Sequence, residues 1–312
     1  MSDTIITADA KMREILTIAE NVASSRATVL IKGESGTGKE LVARLIHRKS
    51  SRMSKRFVAI NCAAVPEGLL ESELFGFEKG AFTGATMSKP GKFELASDGT
   101  LLLDEMSEMA LHLQGKLLRA IQEGEIERLG GRGPIKVNVR IIATTNRDLK
   151  EMVKNGQFRE DLYYRLNVIP LEIPPLRQRL KDIELLTKHF IGVSCLINGK
   201  NVKDISDAAL RKLKGASWPG NIRELENTIE RAVLLAKSET IHEDDFPSLT
   251  SAQSSTIYDL SPGMTVSDAE KFLILRTLDY TSQNRTQAAK MLGISIRTLR
   301  NKIQEYKLTG EL

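Results

Sequence analysis

Eight residues, Gly33-Glu34-Ser35-Gly36-Thr37-Gly38-Lys39-Glu40, have the types and spacing to hold a phosphate chain. Glycines let backbone N–H groups turn inward around phosphate oxygens, and a helix start adds partial positive charge. Lys39 has the reach for β- and γ-phosphates. Glu40 departs from the general pattern, which sets a Ser or Thr hydroxyl there for magnesium. Asp104 and Glu105 follow the apolar run Leu101-Leu102-Leu103. Beside a phosphate loop, two such acids supply a magnesium ligand and a group that orients or activates water. Asp104 is assigned to Mg2+ and Glu105 to the water. Asn146 ends another apolar run and either faces the γ-phosphate or attacking water, or serves as a turn residue. Asn61 ends a further run and has the reach to hydrogen-bond Glu105. Arg159 and Arg165 either stabilise transition-state charge from a neighbouring subunit or pair with Glu160 and Asp161. Arg223 has similar options, with Glu226 on the same helix face.

The elements that must position these residues show as apolar patterns. Thr28-Val29-Leu30-Ile31 reads as a buried strand and 41–46 as a helix with an apolar face. Residues 57–61, 101–105, 137–143 and 168–171 read as four more strands. Unbroken apolar runs mark burial on both faces, as in a parallel sheet, and Pro170 predicts an edge strand. Helical spacing at 9–23 and 69–74 completes the alternation of a doubly wound α/β domain, which binds ligands at its C-terminal strand ends. Beyond Pro174-Pro175, helices at 182–190, 207–213 and 221–236 predict an all-helical unit without strands. Residues 248–261 read as a polar linker. Ser267-Asp268-Ala269-Glu270 forms a capping box opening a helix to about Tyr280. Its Phe272, Leu273, Leu275 and Leu278 serve either a partner surface or packing on the two helices that follow.

The tail has helix-turn-helix form: Ala288-Ala289 where helices cross, Gly293 at the turn, and a second helix opened by Ser295 with Leu299 and Ile303 inward. From Asn284 onward six bases face two acids, a net of +4. That concentration suits a phosphate backbone, with Ser295, Arg297, Thr298, Arg300 and Asn301 as candidate DNA contacts. The other reading is a basic three-helix cap without a DNA role.

Composition bounds the rest. A chain of 312 residues suggests about two domains. A charged fraction of 27% and an apolar fraction of 41% suit a soluble globular protein, and a net charge of +5 permits nucleic-acid contact without requiring it. Cys62 and Cys195 lie far apart, so neither a zinc site nor a disulfide framework is indicated. No apolar run approaches the ~20 residues of a membrane span, and the start lacks a signal-peptide layout. A cytoplasmic protein with no membrane partner is expected.

Together these motifs resemble the bacterial sigma-54-dependent transcriptional activators, AAA+ ATPases also called enhancer-binding proteins, over roughly residues 5–306. The most specific piece is Gly80-Ala81-Phe82-Thr83-Gly84-Ala85, the loop that in this family contacts sigma-54. Residues 33–40 with their Glu40, 99–105, 158–166 and Trp218-Pro219-Gly220-Asn221-Ile222-Arg223-Glu224-Leu225 match as well. The resemblance implies an AAA+ α/β subdomain at 1–172, a helical lid at 173–247, a linker at 248–262 and a Fis-type helix-turn-helix domain at 263–312. It implies a ring, a hexamer, binding ATP and Mg2+ at subunit interfaces. Arg159 and Arg165 become arginine fingers, Arg223 a second sensor, and Asn61 the relay of nucleotide state from Glu105 toward the 80–85 loop. The tail would dimerise through 267–280. The implied function is to bind double-stranded DNA upstream and use ATP hydrolysis to open promoters with sigma-54 RNA polymerase holoenzyme. Many members carry an N-terminal receiver or sensing domain; this chain begins almost at the ATPase domain, so regulation in trans or a truncated start is expected.

Two other classes make different demands. A different AAA+ motor, such as an unfoldase or helicase loader, would lack the 80–85 pattern and the Fis-like tail. A repressor with a vestigial ATPase would have lost Lys39, Asp104, Glu105 or the arginines, and all are present.

Overall fold

Apolar residues on five strands sort by alternation into two cores. The strands are β1 (Val29–Lys32), β2 (Phe57–Asn61), β3 (Thr100–Asp104), β4 (Arg140–Thr145) and β5 (Ile169–Glu172). Leu30, Leu101, Leu103, Ile141 and Ala143 join the core on one face; Val29, Ile31, Leu102 and Ile142 join the core on the other. Successive side chains of a strand point to opposite faces, so a run with no polar position is what burial on both sides requires. The computed structural model describes residues 5–236, 238–246, 265–281 and 284–308.

The sheet is wholly parallel, in the order β2-β3-β4-β1-β5. Pro170 pairs with Leu30 on the edge strand β5, as its missing N–H predicted. Register brings Asn61 opposite Asp104 and Leu103 opposite Ala143, so Asp104 lies beside Thr144. The strand at 57–61 falls where it was expected, and the ends of the other four sit one to three residues from their expected places.

The helix Ala10–Asn21 opens on Asp9, whose carboxylate accepts from Met12 N, and it packs with the phosphate-loop helix Lys39–Arg48 on one face of the sheet. Helices Glu67–Phe75, Leu111–Glu123, Leu149–Lys154 and Glu160–Leu166 contribute to the core on the other face.

The lid is built from Leu180–Asn198, Asp207–Gly215 and Asn221–Leu235 around Trp218, Leu225, Ile229 and Phe246. Two expectations change here. The first lid helix runs to Asn198, well past residue 190, because its apolar face continues through Ile191 to a Gly199 C-cap in the left-handed region. The lid is also not strand-free: Asp204–Ile205 and Thr240–Ile241 form a short parallel pair, too brief to leave an alternating pattern.

The chain divides into two compact units, Met1–Ala252 and Gln253–Leu312. In the second, helices Val266–Tyr280, Arg285–Leu292 and Ile296–Leu308 enclose Ile274, Leu278, Ala288, Ala289, Leu299 and Tyr306. The first begins at Val266, so Thr265 rather than Ser267 precedes it and Ser267 lies in its first turn. The linker expected at 248–261 lies outside the described residues. Among the described residues no helix is long and apolar enough to cross a membrane.

Candidate functional site

The phosphate loop leaves β1 at Gly33, whose N–H donates to Thr145 O (3.1 Å), and enters its helix at Lys39. Gly38 takes a left-handed φ of 94°, turning the chain so that the helix start faces the loop. The Lys39 side chain is 6% exposed, and its ammonium donates to Gly33 O (2.9 Å) and Glu34 O (3.2 Å). It also lies 3.1 Å from Glu105 Oε1. Thr37 is buried, its hydroxyl donating to Glu34 O at 2.7 Å. Glu40 turns its carboxylate to the exposed face, where Arg44 holds it at 2.6 Å. Its backbone, not its side chain, therefore borders the loop; the first N–H groups of a helix have no intrahelical acceptor and can meet an anion.

The two acids are brought to the loop. Asp104 Oδ1 accepts from Thr144 Oγ1 (2.6 Å) and Oδ2 from Asn61 Nδ2 (2.8 Å). The hydrogen bond expected from Asn61 to Glu105 thus goes to Asp104, because parallel register makes Asn61 and Asp104 neighbours. Asn61 Oδ1 meanwhile accepts from Ala63 N (2.9 Å) and Ala64 N (3.0 Å), shaping the turn that leads into Glu67–Phe75. Glu105 has φ 51°, ψ 47°, a left-handed conformation unusual for a side chain of its size, and its N–H donates to Thr144 Oγ1 at 3.0 Å. Its buried Oε2 has no hydrogen-bond partner. Non-glycine residues in this region cost about 1–3 kcal/mol and cluster where geometry serves function. Cys62, beside this pair, has its thiol pushed up to about 12 by burial and then by Asp104 and Glu105.

These residues fit a magnesium–nucleotide complex. Magnesium is usually held by one or two carboxylates plus substrate phosphates, so Asp104 at the loop is sufficient donor chemistry. The unpartnered Glu105 Oε2 and the Lys39 ammonium are the groups such a complex would engage. Asn146 stands exposed just past the end of β4.

Arg223 is exposed at the start of Asn221–Leu235 and donates to Ser35 Oγ at 3.3 Å, so it meets the phosphate loop rather than Glu226. Three contacts fix that juncture. Ile222 N donates to Gly36 O (3.0 Å), Asn221 Nδ2 to Ser35 O (3.0 Å), and Arg177 grips Glu34 at 2.6 and 2.8 Å. The Arg177 hydrogen bonds, with help from Asn221, hold the Glu34 carboxyl down at about 2. A Cβ on Gly36, at φ 76°, would run into Gly220 O.

Arg159 forms a two-pronged pair with Asp161 at 3.0 and 2.7 Å, on an exposed face. Its N–H is anchored by the fully buried Gln114 at 2.8 Å. Arg165 is exposed and, among the described residues, reaches only a carbonyl, Ile121 O at 3.4 Å. Among the described residues no acid joins the two arginines to the loop.

The 80–85 segment closes on itself: Gly80 N donates to Ala85 O and Ala85 N to Phe82 O, with Gly80 and Gly84 at φ 84° and 102°. Phe82 is 41% exposed and meets Phe77 edge-on at 4.9 Å. At the loop's base Arg128 joins Glu78 (2.9 Å) to Glu94 (2.6 Å).

Sequence reading missed Thr144, which seats both acids, and Gln114. A threonine ending an apolar run beside an acid-tipped strand was the available signal for the first. A cavity of about 220 Å³ was also missed; it opens beside Gly38 and is lined by Ile5, Ile6, Leu186 and Phe190.

In the C-terminal unit Arg297, Thr298, Arg300 and Asn301 are exposed along Ile296–Leu308, while Leu299 is buried. Ser295 Oγ accepts from Thr298 N at 3.0 Å, so that hydroxyl caps the helix. Leu278 is core and Leu273 is 54% exposed, dividing the two roles left open for that helix.

Residues 5–172 match the "Sigma-54 interaction domain", 177–259 the "AAA+ ATPase lid domain" and 265–306 the "Bacterial regulatory protein, Fis family". The chain is 51% identical to the transcriptional regulatory protein FlbD of Caulobacter vibrioides, over 98% of this chain and 71% of that protein. It is 50% identical to the regulatory protein AtoC of Escherichia coli, over 97% of this chain and 67% of that one. The crystal structure of NtrX from Brucella abortus in complex with ATP superposes with a TM-score of 0.74 at 32% identity, covering 96% of this chain and 68% of that one.

Proposed function

The chain belongs to the sigma-54 interaction family of AAA+ ATPases, a sigma-54-dependent transcriptional activator with a Fis-type DNA-binding domain, and from that premise we propose that it binds upstream double-stranded DNA and uses ATP hydrolysis to convert the closed complex of sigma-54 RNA polymerase into the open complex. The working parts are an α/β subdomain at 1–172, a lid at 173–247, a linker at 248–262 and the Fis-type domain at 263–312. The protein works in the cytoplasm as a ring, a hexamer, assembled from units dimerised through 267–280.

In this mechanism Lys39 meets the β- and γ-phosphates, replacing Glu105 as its own partner with phosphate oxygen. The Glu105 carboxylate, already oriented by the Thr144 contact at its backbone, then orients the attacking water. Asp104 would hold Mg2+, which would supply neutralisation of the phosphate charge. Asn146 faces the γ-phosphate side of the pocket. Arg223 completes the site from the lid, and Arg159 and Arg165 serve a neighbouring subunit's nucleotide. That assignment is supported by their exposure and by the weak hold on Arg165.

The observation that carries the coupling is the Asn61 bridge. It joins the Asp104 carboxylate to the turn before Glu67–Phe75, the helix that leads into the Phe82 loop. A shift at Asp104 therefore passes by hydrogen bonds to the turn at Ala63 and Ala64, and from there along the helix Glu67–Phe75 toward residues 80–85. The test is in vitro transcription from a sigma-54 promoter. Phe82→Ala should hydrolyse ATP yet open no promoter, and Glu105→Ala should do neither. Full promoter opening by Phe82→Ala rejects the loop assignment, and opening by the wild type without nucleoside triphosphate rejects the ATPase mechanism.

A further inference from the structure

We propose that Asp182 is a positioning residue for the base end of the nucleotide: it pins residues 7–9 so that Ile5 and Ile6 wall the cavity beside Gly38. The inference rests on reading residues 33–40 as a nucleotide loop and deepens it. The Asp182 side chain has no solvent exposure. Its Oδ1 accepts from Ala8 N (2.6 Å), Asp9 N (3.0 Å) and Thr7 Oγ1 (3.0 Å), and its Oδ2 accepts from Thr7 Oγ1 at 2.8 Å. A buried carboxylate is tolerated only when hydrogen-bonded, and bonds to a charged acceptor are the strong ones. The consequence falls on residues more than 170 positions away in the chain.

What is pinned explains why. The segment just before these three residues carries Ile5 and Ile6 to the cavity of about 220 Å³, which Gly38, Leu186 and Phe190 also line. The lining is mainly apolar and the cavity opens on the phosphate loop. It suits a flat heteroaromatic ring attached to a phosphate chain, not further phosphate. Arg179 ties the pin to the loop. It lies 3.7 Å from Asp182 Oδ2, and its Nη2 donates to Thr37 O at 3.4 Å. Arg179 also lines the cavity, and its buried Nε has no hydrogen-bond partner.

The experiment separates the two ends of the nucleotide. Binding of magnesium-ATP and of magnesium-tripolyphosphate, which has phosphates but no base, is measured on the full chain. The variants are Asp182→Ala, Asp182→Asn, Thr7→Ala and Lys39→Ala. Asp182→Ala should weaken ATP about 10- to 100-fold, the equivalent of one or two charged hydrogen bonds, and leave tripolyphosphate within about twofold. Asp182→Asn keeps an acceptor and should fall between. Thr7→Ala leaves the carboxylate in place and should show a smaller loss for ATP alone. Unchanged ATP affinity in Asp182→Ala overturns the proposal. So does an equal loss for both ligands in Asp182→Ala together with no selective loss in Thr7→Ala. A wild type that binds neither ligand rejects the nucleotide reading itself. Loss of both ligands in Lys39→Ala alone supports that reading and leaves the base end to the Asp182 result.

Discussion

Thr144 has no charge and touches no solvent, yet it holds both acids of the site. Its hydroxyl donates to Asp104 and accepts from the Glu105 N–H, and a valine would fill the same volume without doing either. Partners that orient a ligand typically change activity 10- to 100-fold when removed. Thr144→Val should therefore lower kcat for ATP by about that factor with little change in nucleotide binding; an unchanged kcat would mean the strand alone seats the acids. Glu105→Gln removes the charge that pairs with Lys39 while keeping the shape. It should still bind ATP and lose at least about 100-fold in single-turnover hydrolysis, the usual range for a lost general base.

The juncture of phosphate loop and lid is an element-scale device. Trp218 and Asn221 sit at φ 51° and 53°, and the buried Asn221 side chain accepts from Leu176 N (2.8 Å) while donating to Ser35 O. This turn seats Arg223 over Ser35 and leaves no room for a side chain at Gly36. Gly36→Ala adds both a clash and a left-handed strain, and should lower stability by about 1–3 kcal/mol, read as the denaturant midpoint, and weaken ATP. The Glu34–Arg177 pair adds a pH signature. The folded carboxyl titrates near 2 against an ordinary 4.5, so its contribution is full above 4.5 and fades as pH falls toward 2. Both partners are over a third exposed, so solvent screening keeps that contribution to less than about 1 kcal/mol. Glu34→Gln should flatten stability in that acid window by lowering it above pH 4.5 by less than about 1 kcal/mol, with the two proteins converging as pH falls toward 2.

At the scale of the whole molecule, Arg165 makes, among the described residues, no side-chain contact beyond a long one to Ile121 O. If it serves a neighbour, Arg165→Ala should bind ATP normally and hydrolyse at least about 10³-fold more slowly, as losses of such fingers do. Mixing it with Lys39→Ala should restore activity at interfaces with both parts intact; no recovery at any ratio would place its role within one subunit. In the C-terminal unit, Arg300→Ala should weaken cognate DNA by about 1–3 kcal/mol if it reads a base. A phosphate contact would instead lower the salt slope of binding by about one.

The sequence alone determined whatever is local or periodic. The glycine loop before a helix, the apolar runs with acids at their ends, Pro170 on an edge and the basic second helix of the tail all follow from near neighbours. Short strands in the lid and the length of its first helix escaped because two residues make no pattern and a helix can outlast its clearest apolar stripe. Contacts across the chain were decided only by the tertiary structure. Asn61 meets Asp104 rather than Glu105 because parallel register sets them side by side. Arg159 meets Asp161 and Arg223 meets Ser35, partners that spacing in the chain left open. Asp182 reaches residues 7–9 because folding closes a loop of more than 170 residues, and no spacing in the chain encodes that meeting.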